Sequence, residues 1–205
     1  MMILSHRGYW LEQAEKNTRA AFVRSFDAGF GTETDVRDCA GELVISHDPP
    51  GGGEMLFADF LALHGKSALP LAINIKSDGL ALALRAAMEG VPNWFAFDAS
   101  VPDLRTHLDA GNPMLTRMSE VEQTPAYVEH CAGVWLDAFE EDWFGKALIE
   151  EMLGSGKWVF VVSPELHRRD PAQGWALLED FRTHEKLVLC TDRPMLARAH
   201  FGVSP

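Results

Sequence analysis

Basic residues are scarce in this 205-residue sequence. It contains 18 Lys and Arg against 30 Asp and Glu, which gives a formal net charge of −12. A surface with this charge repels nucleic acids and anionic membranes, so we expect neither as a partner through bulk electrostatics. A phosphate-bearing substrate therefore requires a site at which the local charge is reversed.

Long apolar runs and paired cysteines are also lacking. No stretch approaches the ~20 apolar residues of a membrane helix, and the opening sequence MMILSHRGYW has no basic segment of the kind that begins a signal peptide. Cys39, Cys131 and Cys190 are odd in number and widely spaced, so they form neither a disulfide framework nor a zinc-ribbon pattern. We expect them to be small buried hydrophobes, with no stable membrane anchor on the protein and a cytoplasmic location.

Apolar segments of strand length alternate with segments of helical spacing along the chain. Eight strands are predicted, at 2–6, 31–37, 71–76, 94–98, 114–118, 133–139, 157–163 and 186–191. A short ninth strand at 42–47 is predicted to return against 34–38 as a hairpin. Helices are predicted at 17–28, 80–88, 126–131, 144–153 and 173–183.

This alternation of strands and helices favours a single domain over residues 1–205 with a compact (β/α)8 TIM-barrel fold. The composition, 47% hydrophobic and 23% charged, is that of a folded globular protein. The chain is shorter than the ~250 residues typical of such barrels, which implies trimmed helices and loops. An open, doubly wound parallel sheet is the alternative fold.

Two predicted strands carry polar pairs on one face. Glu33 and Asp35 are two residues apart, so both side chains leave the same face of their strand. Two such carboxylates suit a hard divalent ion, Mg²⁺ or Ca²⁺, although the same spacing is common on solvated strand edges. Asn74 and Lys76 share a face of another strand and would add an amide oxygen and a cation, unless Lys76 is merely solvated.

Two histidines stand at strand ends, where barrel enzymes keep their sites. His6 is followed by Arg7, and His47 by Asp48. A pair of imidazoles on opposite sides of a phosphorus atom can take one proton and give another during a displacement. The remaining six histidines are interpreted as surface groups: His64, His107, His130, His167, His184 and His200.

Further strand-end candidates are Asp98, Arg117, Asp137, Glu165 and Asp192, among which Arg117 is predicted to be an additional phosphate contact.

Five separated motifs occur within the first 50 residues. They are HRG at 6–8, NT at 17–18, AF at 21–22, ETDV at 33–36 and HD at 47–48. In order and spacing this pattern resembles the glycerophosphodiester phosphodiesterase family, which belongs to the phosphatidylinositol-phospholipase-like phosphodiesterases and has a (β/α)8 barrel. A weaker resemblance continues through 55–63, 73–76 and 191–194.

The resemblance implies a metal-dependent hydrolase of small glycerophosphodiester-like molecules. In it, His6 and His47 would be the acid/base pair. The divalent cation, Mg²⁺ or Ca²⁺, would be held by Glu33, Asp35 and the residue at position 74, and the phosphate would be bound by Arg7 and Lys76.

Three departures from the family pattern leave alternatives open. Glu15-Lys16 replaces the usual Pro-Glu, Asn74 replaces the third metal-binding carboxylate, and only 23 residues separate His47 from Leu71, where longer insertions are common. One alternative is a catalytically silent barrel that binds a diester. Another is a lyase that uses a substrate hydroxyl and leaves a cyclic phosphate.

Overall fold

The computed structural model describes residues 1–203, and residues 204–205, the end of the predicted domain, lie outside them. Eight parallel strands and one antiparallel strand form a single sheet. The strands are β1 (Met2–His6), β2 (Gly31–Cys39), β3 (Glu42–Ile45), β4 (Leu71–Ile75), β5 (Trp94–Phe97), β6 (Leu115–Met118), β7 (Gly133–Leu136), β8 (Trp158–Val162) and β9 (Leu187–Thr191).

The parallel strands follow the order β5-β4-β2-β1-β9-β8-β7-β6, and one bridge between Ala96 and Met114 joins the two ends. The sheet is therefore a nearly closed barrel, which confirms the TIM-barrel prediction and rules out the open doubly wound sheet. The predicted hairpin is confirmed as well, since β3 pairs antiparallel with β2 from Val36↔Ile45 to Cys39↔Glu42. However, β3 ends at Ile45, so His47 lies in the following loop and not on the strand.

Within residues 1–203, seven α-helices cover the outside of the barrel. They are α1 (Arg19–Asp27), α2 (Phe57–His64), α3 (Ala81–Ala87), α4 (Val101–Asp109), α5 (Lys146–Gly154), α6 (Ala172–Leu178) and α7 (Pro194–Phe201). The predicted helix at 126–131 is wrong, because this segment forms turns in which Tyr127 has a φ of 54° and leaves the helical region. Conversely, the periodicity did not predict α2, α4 or α7, although α4 and α7 both have proline in the first turn.

The barrel interior is filled by apolar side chains from the inward faces of the strands. Its largest members are aromatic, and the ring of Phe97 stacks on that of Trp135 with centroids 3.7 Å apart. The interior residues are Leu4, Ala72, Phe95, Phe97, Leu115, Trp135, Phe160, Val162, Val188 and Cys190. Because this plug occupies the middle of the barrel, inward-facing polar residues beyond it gather at the carboxyl ends of the strands.

The cysteines behave largely as predicted. Cys131 and Cys190 are buried, while Cys39 is partly exposed. Burial raises the pKa of Cys190 well above its usual value and that of Cys131 to about 11, so both thiols stay protonated and unreactive near neutral pH. Within residues 1–203, none of the helices has the length and apolar character needed to cross a membrane.

Candidate active site

Four polar side chains meet at the barrel mouth because of the strand register. His6 on β1 is paired with Glu33 on β2, and Asp35 on β2 is paired with Asn74 on β4. Residues paired in register on parallel strands point to the same face of the sheet. Here that face is the barrel interior, so the four side chains converge just above the apolar plug.

The HRG sequence forms the sharp turn after β1. Arg7 and Gly8 have φ values of 57° and 83°, a left-handed conformation that glycine adopts without steric cost. A Cβ atom on Gly8 would lie 2.8 Å from the Cβ of Ala21 on α1. The turn is therefore packed directly on α1, and it brings the Arg7 side chain to the neighbouring strand, where its Nε lies 2.9 Å from Asp35 Oδ2.

His6 is held between two carboxylates. Its Nδ1 lies 2.7 Å from Asp192 Oδ1, and its Nε2 lies 3.9 Å from Glu33 Oε2. Asp192 also accepts a hydrogen bond of 3.2 Å from Trp10 Nε1, and Lys16 Nζ approaches it at 3.6 Å. Burial alone would raise the pKa of Asp192, but these neighbours hold it below its usual value. The charged Asp192 thus fixes the imidazole with Nε2 towards the centre of the mouth.

Asp35 is fully buried and surrounded by positive groups. In addition to Arg7, Lys76 Nζ lies 3.5 Å from its Oδ1. Asn17 donates a 2.8 Å hydrogen bond to Asp35 Oδ2, and the Asn17 oxygen in turn accepts one from Thr34 at 2.9 Å. Two cations therefore stand at the mouth of a protein whose net charge is −12, where their N–H groups could bind phosphate oxygens.

Glu33 is the most strongly perturbed carboxyl group of the cluster. Burial and the charge of Asp35 raise its pKa to about 7, although His6, Arg7 and Lys76 oppose this effect. Without a further cation beside it, Glu33 is thus about half protonated near neutral pH.

The oxygen donors at positions 33, 35 and 74 fit a hard divalent cation. Asp35 Oδ1 and Asn74 Oδ1 are both buried, and neither accepts a hydrogen bond from the described part of the chain. Buried oxygens of this kind are normally satisfied by a ligand or water. No three His, Cys, Asp or Glu side chains within 1–203 form a metal-binding group. The third donor is instead the amide oxygen of Asn74. Mg²⁺ or Ca²⁺ can bind this oxygen, but a neutral amide offsets less of the charge of the cation than a carboxylate does.

The His47 ring makes no direct contact with the carboxylates of this cluster within residues 1–203. Its side chain is 46% exposed, and its Nδ1 lies 2.8 Å from Oδ1 of the exposed Asp48. Arg37 donates to the His47 carbonyl oxygen. Ser46, the residue before it, donates a backbone hydrogen bond of 3.1 Å to the Asp35 carbonyl oxygen, so this loop adjoins the end of β2, and the acid/base role of His47 stays a prediction.

Arg117 is engaged by carboxylates. Its guanidinium lies 3.1 Å from Asp98 Oδ1 and 2.5 Å from Glu122 Oε2. Burial raises the pKa of Asp98, against the lowering effect of Arg117, Lys76 and the Asn74 amide. The phosphate contact predicted for Arg117 would have to compete with two carboxylates.

Several residues at the mouth received no role from the sequence. Lys16 lies in the segment that departs from the family pattern, and Asn17 begins the NT motif. That motif was the signal in the sequence from which a role for Asn17 could have been inferred. A second imidazole–carboxylate pair lies across the mouth, where His167 Nε2 is 2.7 Å from the buried Asp137 Oδ1. His167 was interpreted as a surface group because a lone loop histidine usually is one. The same interpretation is wrong for His64 and His107, which are buried.

No family model matches the chain, and no curated protein matches it in sequence. Solved structures do share its fold. Glycerophosphodiester phosphodiesterase from Agrobacterium tumefaciens is 19% identical, with a TM-score of 0.71 over 99% of this chain and 100% of that one. The corresponding enzyme from Thermotoga maritima is 18% identical, with a TM-score of 0.61 over 97% and 98%.

A third structural neighbour is a Ca²⁺-dependent phosphatidylinositol-specific phospholipase C from Streptomyces antibioticus. It is 13% identical, with a TM-score of 0.59 over 98% of this chain and 95% of that one. At these identities the likeness shows a common barrel fold. The fold is the one that the motif resemblance implied, so the two independent comparisons agree.

Proposed function

We propose that this chain is a phosphodiester hydrolase that acts on small glycerophosphodiester-like molecules. The observation that carries the proposal is the His6–Asp192 pair. The second imidazole nitrogen of His6 faces Glu33, and the cations Arg7 and Lys76 lie beside it on Asp35. The structural neighbours named as glycerophosphodiester phosphodiesterases support the same reaction class. The substrate would be a small molecule, and we expect no nucleic-acid partner and no stable membrane anchor.

The phosphate would be bound by Arg7 and Lys76. Both contact Asp35, so their charges are already positioned at the mouth before substrate arrives. A diester brings one negative charge, and charge-assisted hydrogen bonds from the two cations would hold its non-bridging oxygens. The same contacts oppose the additional negative charge that builds up as the nucleophile attacks.

His6 Nε2 would move the proton. With Nδ1 held by Asp192, Nε2 accepts a proton from the attacking oxygen while a new phosphorus–oxygen bond forms and the bond to the leaving alcohol breaks. The alcohol oxygen takes a proton from a second acid, for which His47 is the candidate. With water as nucleophile the product is a monoester, and with a substrate hydroxyl it is a cyclic phosphate.

A divalent cation, Mg²⁺ or Ca²⁺, would be held by Glu33, Asp35 and Asn74. When bound, it supplies Lewis-acid polarisation of a phosphate oxygen. For this purpose Glu33 must lose its proton, and Asp35 must share its oxygens between the cation and Arg7. The Ca²⁺ dependence of the Streptomyces neighbour is in line with such a requirement.

The test is a panel of glycerophosphodiesters incubated with the protein in Mg²⁺, Ca²⁺ or excess chelator. We expect release of glycerol 3-phosphate and the free alcohol in at least one metal, and loss of at least tenfold in rate with chelator. Phosphorus NMR separates a monoester product from a cyclic one. Complete absence of turnover across metals and head groups would contradict the proposal.

A second candidate is a silent barrel that binds diesters without cleaving them. Two observations favour it: an amide stands where the third carboxylate is expected, and His47 points to solvent. Calorimetry of diester binding with no product formed would support this candidate. Appearance of turnover in Asn74→Glu would then locate the defect in the cation site.

A further inference from the structure

Glu165 is a buried carboxylate at the barrel mouth to which neither the proposed reaction nor the cation site gives a role. It lies in the short 3-10 turn Pro164–His167 that follows β8, and it is 9% exposed. Within residues 1–203, no Lys, Arg or His side chain forms an ion pair with it, and its three partners are hydroxyl and backbone N–H groups. A buried carboxylate without a cationic partner is costly unless hydrogen bonds satisfy its oxygens. The arrangement of these donors therefore decides whether the burial of Glu165 is tolerated.

The two hydroxyl donors to Glu165 have no other acceptor among the described residues. Its Oε2 accepts from the Ser163 hydroxyl, and its Oε1 accepts from the Thr191 hydroxyl. Each hydroxyl carries one hydrogen, and each hydroxyl oxygen already accepts an N–H group. Trp175 Nε1 donates to the Ser163 oxygen at 2.8 Å. The backbone N–H of Arg193 donates to the Thr191 oxygen at 3.0 Å. Both oxygens of Glu165 must therefore accept, which a carboxylate can do and a side-chain amide cannot.

The same carboxylate holds the backbone at Asp192. The N–H of Asp192 donates to Glu165 Oε1 at 3.2 Å, beside the Thr191 hydroxyl on the same oxygen. Thr191 is the last residue of β9 and Asp192 is the first beyond it, so Glu165 fixes the backbone from which the Asp192 side chain leaves. That side chain in turn contacts His6 Nδ1 at 2.7 Å. A chain of contacts thus runs from the turn after β8 through Asp192 to the imidazole.

We propose that Glu165 is a positioning residue for the His6–Asp192 pair. By tying Thr191 and Asp192 to the turn after β8, it sets the place of the Asp192 carboxylate and thereby the direction of His6 Nε2. This inference rests on the proposed hydrolase function, in which Nε2 moves the proton. Among the described residues, the Glu165 carboxylate contacts neither the phosphate-binding cations nor the oxygens of the cation site. Its loss should therefore slow turnover and spare substrate binding.

Glu165→Gln tests this role, because it keeps the size of the side chain but turns an NH2 group towards one of the three donors. We expect kcat for a glycerophosphodiester to fall about tenfold and KM to stay within about twofold of wild type. Asp103→Asn is the matched control. Asp103 is another buried carboxylate that accepts a backbone N–H, from Gly79 at 3.2 Å, but it lies on α4, so kcat should not change. An unchanged kcat in Glu165→Gln, or an equal fall in both variants, would overturn the assignment.

A double-mutant cycle separates positioning from a general loss of structure. If Glu165 acts through Asp192, Glu165→Gln should cost little in a protein that already carries Asp192→Asn. We expect kcat of the double variant to lie within about twofold of that of Asp192→Asn alone. Independent losses would instead multiply, and a further fall of about tenfold in the double variant would overturn the proposal.

A second variant covers the case in which Glu165→Gln does not fold. Ser163→Ala removes one of the three donors and leaves the carboxylate in place. We expect it to lower kcat about threefold with KM unchanged, as the loss of one hydrogen bond in the chain of contacts would do. An unchanged kcat in this variant would overturn the proposal.

The hydrogen bond of the imidazole can also be observed without turnover. The proton on His6 Nδ1 lies in the contact with Asp192 and should give a far-downfield proton NMR signal, assigned by its absence in His6→Ala. We expect this signal to move upfield or disappear in Glu165→Gln and to stay in place in Asp103→Asn. If no diester is cleaved but the signal responds in this way, the hydrolase function fails and the positioning role stands. Turnover with the signal and kcat both unchanged in Glu165→Gln would contradict the positioning role alone.

Discussion

Asp192 Oδ1 lies 2.7 Å from the Nδ1 atom of His6, and this contact joins the last strand of the barrel to the first. The two residues are 186 positions apart, yet the parallel pairing of β1 with β9 brings their strand ends together. The imidazole at the centre of the proposed reaction is therefore oriented only when the final strand closes the barrel.

Asp192 is a positioning residue, and its replacement should affect turnover more than binding. In Asp192→Asn we expect kcat to fall about tenfold to a hundredfold with little change in KM, because the imidazole loses the charge that fixes its orientation. Steady-state kinetics measures both constants. Asp27→Asn, an exposed residue on α1, is the control, and Asp192→Glu should recover part of the rate. An equal loss of folding stability and activity would indicate a purely structural role.

Divalent cation affinity should increase with pH up to about 7. The cation requires ionised Glu33, whose pKa burial and Asp35 raise to about 7, so metal binding displaces a proton below that pH. We expect the affinity for Mg²⁺ or Ca²⁺ to rise about tenfold per pH unit between pH 5 and 6.5 and then to level off. Calorimetry at several pH values measures this, and a flat profile would count against Glu33 as a ligand.

The metal-free protein should show a matching effect on stability. The folded-state pKa of Glu33 lies above its unfolded value of 4.5, so the folded protein binds the additional proton between these pH values. The stabilisation associated with this proton is fully present below pH 4.5 and is lost as pH rises through 7. Over this range the free energy of unfolding falls by roughly 3 kcal/mol. Urea unfolding of wild type and Glu33→Gln should therefore give a difference in unfolding free energy that changes across this window. A constant difference would show that Glu33 titrates normally.

The turn at Gly8 should not tolerate a side chain. Gly8→Ala adds a Cβ atom 2.8 Å from that of Ala21 at a φ of 83°, and we expect it to lower the unfolding free energy by about 2 kcal/mol or more. Gly41→Ala is the matched control, because Gly41 has a φ of 87° but no atom within 4 Å of the added Cβ. Denaturant unfolding of both variants separates the contact from the backbone strain. Equal losses of unfolding free energy in the two variants would mean that the contact with α1 adds nothing to the backbone strain.

Much of the site could be predicted because strand periodicity decides it. The spacing of Glu33 with Asp35, and of Asn74 with Lys76, placed each pair on one face, and the barrel register then brought the two strands together. The partners of His6 and Arg117 could not be predicted in the same way. Asp192 and Asp98 reach them through contacts between distant strands, which no local pattern encodes.

The errors have local physical causes. The helix expected at 126–131 fails because a left-handed Tyr127 interrupts it. The strand expected to reach His47 ends two residues earlier, so the orientation of this ring depends on the glycine-rich loop that follows and not on strand alternation. Apolar periodicity predicts regular elements, but a functional side chain on a loop takes its direction from backbone turns that periodicity does not describe.

The role of His6 as the general base is tested by the turnover of a glycerophosphodiester in His6→Ala. Phosphorus NMR would follow the same substrate with wild type, His6→Ala and His130→Ala, the last being an exposed histidine just before β7 at the opposite end of the barrel. We expect wild type and His130→Ala to convert the diester at equal rates, while His6→Ala is slower by at least a hundredfold. Full turnover by His6→Ala would contradict it.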